Sequence, residues 1–353
     1  MKKILFAISL LICLGACTEV MDLPSDGFGD LLIVNGSLCS ADSLHTLSLH
    51  VSSREKGIIS PGEVRGKLYV NGTLLSDTLS YKGTKEDTTL CLLTFKAQFA
   101  PEDELKLVFE SSVGTCEVNE SVPPLPVVAG ASTGEDIVLS YSDYGNQETR
   151  SFHRFYLGVA DAAGVDNAYR VSAYLDGETE CVEGIKDPRY YSDQTGVKKS
   201  YDDEPVKLYN LLEPVLKLPW MSSESVNDFN IFSDESFAGG EYTLTLCWFG
   251  SLYHTPSLAG YYEGDTHKSE VWVSRAGVNV RLESIPVGYY RYLMAAEYDV
   301  TGAYLPLVYE PSFFPSNVEG GLGYVNVSSA LEYRIPYPDR YYDSDHYFEG
   351  YVK

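Results

Sequence analysis

Lys67-Leu68-Tyr69-Val70-Asn71-Gly72-Thr73-Leu74-Leu75 is the stretch that decides the fold. Two apolar-rich runs flank an Asn-Gly pair, the dipeptide that best tolerates the positive φ angles of a two-residue hairpin turn. The same strand-like grammar extends on both sides. Residues 44–51 alternate in period two, with Leu44, Thr46, Ser48 and His50 against His45, Leu47, Leu49 and Val51. Upstream, Leu31-Leu32-Ile33-Val34 reads as a strand that stops at Asn35-Gly36, and residues 90–99 and 105–110 continue the series downstream. Short strands at this spacing predict an immunoglobulin-like β-sandwich over residues 31–126. Pro123-Pro124-Leu125-Pro126 breaks any ladder and stiffens the chain, which places a domain boundary there.

Residues 127–353 read as a larger β-rich domain with one or two short helices, so the fold class is all-β. Ile137-Val138-Leu139, residues 152–159 and residues 168–175 open it. The last of these sets Tyr169, Val171, Ala173 and Leu175 against Arg170, Ser172 and Tyr174. Residues 176–205 carry many Asp, Glu, Gly and Tyr without a core pattern and predict a long surface loop. Residues 208–220 predict a short helix curtailed by Pro214 and Pro219. Strands resume at 242–249, 270–273 and 278–282. The strongest helix pattern covers 284–298, with Tyr289, Tyr292, Leu293 and Ala296 on one face. The tail from Pro336 is dense in tyrosine and aspartate. Neither a repeat nor a coiled-coil heptad is present.

The N-terminus has the layout of a secretory signal. Lys2 and Lys3 precede the apolar run Ile4-Leu5-Phe6-Ala7-Ile8-Ser9-Leu10-Leu11-Ile12-Cys13, which is too short to span a bilayer, and Leu14-Gly15-Ala16-Cys17 follows. Residues 1–16 are expected to be removed. The cleavage site resembles a bacterial lipobox, which makes Cys17 the expected lipid attachment point and residues 17–30 a flexible tether. An ordinary signal peptide is the alternative. Several acyl chains on one cysteine hold a protein to a membrane far better than one.

The chain holds 26 Lys and Arg against 50 Asp and Glu, a formal charge of −24, and losing Lys2 and Lys3 makes it more negative still. Such a surface does not bind nucleic acid by neutralising phosphates. It also stays off anionic lipid except where an anchor pins it. Beyond Cys13 and Cys17 an odd set of cysteines remains: Cys39, Cys91, Cys116, Cys181 and Cys247. No CxxC spacing suggests zinc or redox chemistry. Cys91 and Cys116 sit on neighbouring strand-like runs, where either a disulfide or two buried thiols fits.

Catalytic constellations are not evident. Serine, histidine and acids occur without a GxSxG elbow. His45, His50, His153, His254, His267 and His346 form neither HExxH nor a close pair. Gly320-Gly321-Leu322-Gly323 fails the phosphate-cradle spacing and precedes a strand, so a turn with positive φ is expected instead. Asp339, Asp343 and Asp345, like Asp202, Asp203 and Glu204, offer hard oxygens for calcium but lack EF-hand spacing, and solvated loop charge is the simpler reading. No catalytic residue, metal or cofactor is therefore assigned. Tyrosine stands out at 28 residues. Flat rings with polar tips suit recognition of sugars or peptides, and tyrosine is also a good strand residue. Tyr190, Tyr191, Tyr341 and Tyr342, on acidic segments expected to be loops, are the candidate recognition residues.

Several runs together resemble a family catalogued as domain of unknown function 4249, predicted surface lipoproteins of Bacteroidota. The resemblance is carried by Leu32-Ile33-Val34-Asn35-Gly36-Ser37-Leu38 and by Ser233-Asp234-Glu235-Ser236-Phe237. Its most specific part is Tyr289-Tyr290-Arg291-Tyr292-Leu293, then Pro311 and Ser316-Asn317-Val318-Glu319-Gly320-Gly321-Leu322-Gly323-Tyr324. The chain departs from the pattern in having Tyr324-Val325 where an aromatic-glycine ending is expected. The family carries no established activity, so no functional residue is transferred. Its members' frequent encoding beside a TonB-dependent outer-membrane receptor implies a role in uptake or assembly. Asp42-Ser43-Leu44, Asp77-Thr78-Leu79 and Asp87-Thr88-Thr89 also resemble the Bacteroidota O-glycosylation acceptor, making Ser43, Thr78 and Thr88 candidate sites. The expected function is a cell-surface, lipid-anchored outer-membrane lipoprotein acting as a non-catalytic partner of a TonB-dependent transporter. A structural or adhesive surface protein, and a surface hydrolase, are the alternatives.

Overall fold

The computed structural model describes residues 29–53, 55–77, 80–83, 91–143, 146–161, 164, 166–183, 198–217, 227–249, 270–300, 314–337 and 340–342. Within them the protein is mostly β-strand, with one α-helix and two single-turn 3-10 helices. Ahead of the proline run lie β1 (Leu31–Cys39), β2 (Leu44–Ser53), β3 (Gly57–Ile59), β4 (Arg65–Val70), β5 (Thr73–Ser76), β6 (Ser80–Gly83), β7 (Cys91–Lys96), β8 (Glu104–Ser111) and β9 (Gly114–Ser121). After it come β10 (Val127–Thr133), β11 (Ile137–Asp143), β12 (Asn146–Ala160), β13 (Ala168–Glu183), β14 (Lys198–Val206), β15 (Leu208–Tyr209), β16 (Ile231–Ser233) and β17 (Glu241–Trp248). The chain closes with β18 (Glu270–Ile285), helix α1 (Val287–Val300), β19 (Val318–Glu319), β20 (Val325–Pro336) and β21 (Arg340–Tyr342). No helix among the described residues is long and apolar enough to cross a membrane.

Asn71 and Gly72 form the expected turn between β4 and β5, with φ angles of 50° and 76°. Asn71 also ties the turn to β8: its Nδ2 donates to Asp103 Oδ1 (2.8 Å), and Glu104 N donates to Asn71 Oδ1 (2.9 Å). The second Asn-Gly pair behaves differently. Strand β1 runs straight through Asn35-Gly36 instead of stopping there. A Cβ at position 36 would lie 2.5 Å from Leu47 Cδ2, so glycine there serves close strand approach and not a turn. Asn35 Oδ1 is occupied as well, accepting from Tyr324 N at 2.9 Å.

Among the described residues one sheet has eleven strands, in the order β14-β13-β18-β20-β1-β2-β7-β6, with β16 pairing β13, β21 pairing β18 and β3 pairing β2. Two five-stranded sheets accompany it, β10-β12-β17-β15 with β11, and β19-β9-β8-β4-β5. The first core joins Leu32, Val34, Leu47, Leu49 and Leu93 of the long sheet to Leu68, Leu107, Phe109 and Val118 of the second small sheet. A second core joins Val171, Ala173, Val280 and Leu282 to Phe155, Leu157, Leu244 and Trp248. Most strands of the first core precede the proline run, but β20, beyond it, feeds both cores, with Val325 and Val327 in the first and Ile335 in the second. The first core also takes Val318, Val325 and Val327 from outside residues 31–126. Strand β20 reaches them by pairing in parallel with β1, from Gly36 opposite Val325 to Cys39 opposite Ser328. Ser329 Oγ donates to the Pro124 carbonyl at 2.7 Å and fastens the proline run to the same strand.

Several local expectations change. Residues 176–205 are not one loop: β13 continues to Glu183 and β14 covers Lys198–Val206. These strands carry Asp, Glu, Lys and Thr where an apolar alternation would be expected, which is why the sequence pattern missed them; β13 is paired by both β14 and β18, and β14 forms the edge of the sheet. Within the range expected to be a helix, residues 208–217 hold instead β15 and a 3-10 turn, Pro214–Leu216, capped by Glu213 accepting from Val215 N. Helix α1 starts later than expected, at Val287, because residues 284–285 complete β18 and Pro286 is a favourable helix entry. Cys39, Cys91, Cys116 and Cys247 are buried free thiols, so Cys91 and Cys116 are not paired. Burial pushes both of those thiols up to about 11.

Candidate functional site

The most developed polar constellation grows out of three neighbouring strands. On β13 and β18, alternate residues such as Val171, Ala173, Leu175, Val278, Val280 and Leu282 enter the second core. The residues between them stand on the opposite face. Register then lines up cross-strand rows on β13, β18 and β20: Arg170, Glu283 and Ala330; Ser172, Arg281 and Glu332; Tyr174, Asn279 and Arg334. Arg281 lies at the centre. Its Nε donates to Glu283 Oε1 (3.1 Å) and its Nη1 to Glu332 Oε1 (3.3 Å). Its two terminal nitrogens grip Asp42 in a bidentate pair, Nη1 to Oδ1 at 3.1 Å and Nη2 to Oδ2 at 2.9 Å. Asp42 sits between β1 and β2, 239 residues away in sequence. Arg170 Nη2 donates to Glu283 Oε1 (3.2 Å), and Arg334 makes its own bidentate pair with Asp176 (2.9 and 3.0 Å).

Arg281 is held firmly as a cation. Burial works against its charge, but the Asp42 hydrogen bonds and the nearby Cys39 and Glu283 raise its pKa above the ordinary arginine value. Beside it opens a cavity of about 310 Å³ lined by Asp42, Tyr174, Asn279, Arg281 and Glu332. Its polar atoms can hold a ligand by hydrogen bonds. A guanidinium already among the carboxylates opposes a divalent cation there. Among the described residues no group of three or more His, Cys, Asp and Glu is placed to hold a metal ion.

A second constellation joins the two runs quoted above from the last quarter of the chain. The rings of Tyr289 and Tyr292 on α1 pack against Tyr324, with centroids 5.4 and 5.5 Å away. Gly288 permits this approach, since a Cβ there would collide with the Tyr324 hydroxyl. Glu120 of β9 takes hydrogen bonds from Asn317 Nδ2 (2.8 Å) and from the Tyr324 hydroxyl. Burial pushes the Glu120 carboxyl above its usual range, against the lowering pull of those hydrogen bonds. The folded state therefore keeps this proton to higher pH than the unfolded chain does. Its contribution to stability falls as pH rises from the ordinary carboxyl value through the raised one. Glu120→Gln, always neutral, should lack that fall. Thermal melts of parent and variant from about pH 4 to about pH 7 should diverge as pH rises; parallel curves would remove the assignment.

The residues expected from sequence to act are only partly within view. Cys17, Thr78, Thr88, Tyr190 and Tyr191 lie outside the described residues. Ser43 is exposed beside Asp42 in the link between β1 and β2. Tyr341 and Tyr342 belong to β21, not to a loop, with Tyr341 in register with Trp272 and Tyr342 with Val271 on β18. Asp202, Asp203 and Glu204 lie in β14, and Asp339, Asp343 and Asp345 lie outside the described residues. Arg281, Asn279 and Glu332 were not singled out from the sequence. The alternation of Asn279, Arg281 and Glu283 with Val278, Val280 and Leu282 marks a polar strand face, but nothing local pairs it with Asp42.

The model of a family described as domain of unknown function (DUF4249) matches residues 18–334, most of the chain. No curated protein matches it.

Proposed function

Because the chain belongs to the domain of unknown function 4249 family, whose description names no activity, we propose that it is an outer-membrane lipoprotein of the Bacteroidota type acting as a non-catalytic partner of a TonB-dependent transporter. In this reading Cys17 carries the lipid and residues 31–126 form an immunoglobulin-like sandwich that serves as a stalk or docking module. Residues 127–353 meet the receptor or its ligand. The observation that carries the recognition role is the register of β21. The tyrosine- and aspartate-rich tail begins on a hydrogen-bonded strand, Tyr341 opposite Trp272, instead of on a free loop. Contact residues fixed by a sheet lose less conformational freedom on binding. Tyr190 and Tyr191 are proposed to act with Tyr341 and Tyr342, and Ser43, Thr78 and Thr88 are proposed glycan acceptors.

Two measurements test this reading. Cys17→Ser should abolish labelling by a palmitate analogue and release the protein from membranes; a labelled, sedimenting variant would overturn the anchor. Tagged native lipoprotein should retain a β-barrel receptor from solubilised outer membranes. Alanine at Tyr341 or Tyr342 should weaken that retention, by up to about 2 kcal/mol at a central contact, without lowering the melting temperature. Unchanged retention with reduced stability would show that these tyrosines serve the fold alone.

A further inference from the structure

We propose that the cavity beside Arg281 is a binding site for a neutral sugar ring. Its volume, about 310 Å³, lies at the small end of the roughly 300–1,000 Å³ range of small-molecule sites, which suits one ring and not an extended chain. The charges argue for a neutral occupant. An anion meets Asp42 and Glu332, while Arg281, the cation that would attract it, is already shared among Asp42, Glu283 and Glu332. A metal ion meets that same guanidinium. Across the whole ladder Arg170, Arg281 and Arg334 nearly balance Asp42, Asp176, Glu283 and Glu332.

The functional groups also match a polyol. Adjacent sugar hydroxyls both donate and accept. Asp42 and Glu332 keep acceptor lone pairs beyond those used by Arg281, Asn279 brings a donor and an acceptor, and Tyr174 brings a hydroxyl on a flat ring. Glu332 is the open wall, with its side chain 62 % exposed, whereas Arg281 is 14 % exposed and fixed from three sides. Asp42, gripped by two hydrogen bonds from Arg281, is therefore held before any ligand arrives, which limits the ordering cost of binding. Asp42 comes from the link between β1 and β2 and the other lining residues from β13, β18 and β20, so the site exists only in the assembled fold. This inference does not depend on partnership with a transporter.

Titration of the intact protein with the methyl glycosides of glucose, galactose, mannose and N-acetylglucosamine tests it, with the Arg side-chain Nε–H resonances as readout. At least one glycoside is expected to shift the Arg281 signal saturably, with a dissociation constant in the millimolar range. Asn279→Ala and Tyr174→Ala should each weaken that binding about tenfold at an unchanged melting temperature. If either variant fails to fold, Glu332→Gln on the exposed wall and Tyr174→Phe replace it, and a severalfold loss in either supports the site. No saturable shift with any glycoside would overturn the proposal. So would binding insensitive to every variant that folds, or saturation by putrescine in place of the glycosides.

Discussion

Gly323→Ala is expected to destabilise the protein by about 3 kcal/mol, a large share of the roughly 5–15 kcal/mol that holds a typical domain. Two effects add at this position. The backbone lies at φ +102°, a region that a residue with a Cβ rarely occupies. The new methyl would also drive into the Val34 carbonyl oxygen and lie 2.7 Å from Asn35 Oδ1. The surrounding chain cannot easily give way, because it is pinned to β1 on both sides. Leu322 N donates to Leu32 O and Val34 N donates to Leu322 O, each at 2.9 Å, and Gly36 N donates to Tyr324 O at 3.2 Å. Gly57→Ala is the matched control, with φ +72° and nothing within 4 Å of a Cβ. It should cost about 1 kcal/mol from backbone strain alone. Denaturant midpoints of the two variants separate the effects. Equal losses would mean that the close approach to β1 contributes nothing.

A fragment of residues 31–126 is expected to lack a cooperative melt when made alone. Its core would lose Val318, Val325 and Val327, which are buried to 5 % exposure or less. Burying each such side chain stabilises by roughly 1.5–3 kcal/mol, so their loss approaches the whole stability of a small domain. The edge of β1 would also lose its parallel partner, leaving main-chain groups that β20 satisfies in the intact chain. Joining residues 316–329 to the fragment through a flexible linker should restore a cooperative transition. A sharp melt of the unjoined fragment would show that residues 31–126 form a self-sufficient domain and that the C-terminal valines are dispensable to it.

Much of this architecture was legible in the sequence because it depends on neighbours. Period-two alternation placed Leu47, Leu49, Val171 and Ala173 in cores, since successive side chains of a strand point to opposite faces. The apolar stripe of Tyr289, Tyr292 and Leu293 announced the helix, and Asn71-Gly72 announced a turn. The polar rows of the candidate site were half legible. Arg281 could be placed on the outer face of a strand, but its bidentate partner Asp42 is remote in sequence and joins it only when β1 and β18 enter the same sheet.

The two Asn-Gly pairs show where local reading ends. At 71–72 both positive φ angles form between two short strands of the same sheet, and β8 supports the turn, with Asn71 N donating to the Glu104 carbonyl at 2.9 Å. At 35–36 the identical dipeptide stays extended, because Leu47 presses on Gly36 from β2 and the chain around Tyr324 claims Asn35 from the other side. By itself the sequence determined the β-rich class, the alternating faces, the helix and the turn at Asn71-Gly72, all of which follow from backbone geometry within a few residues. Tertiary structure decided that the chain returns after nearly 290 residues to lay β20 beside β1. That return joins the strands serving both cores into one sheet and brings Asp42 to Arg281. Closing so long a loop leaves no local imprint, since each doubling of its length changes the entropic cost by only about 0.6 kcal/mol and the compensating contacts lie at its two ends.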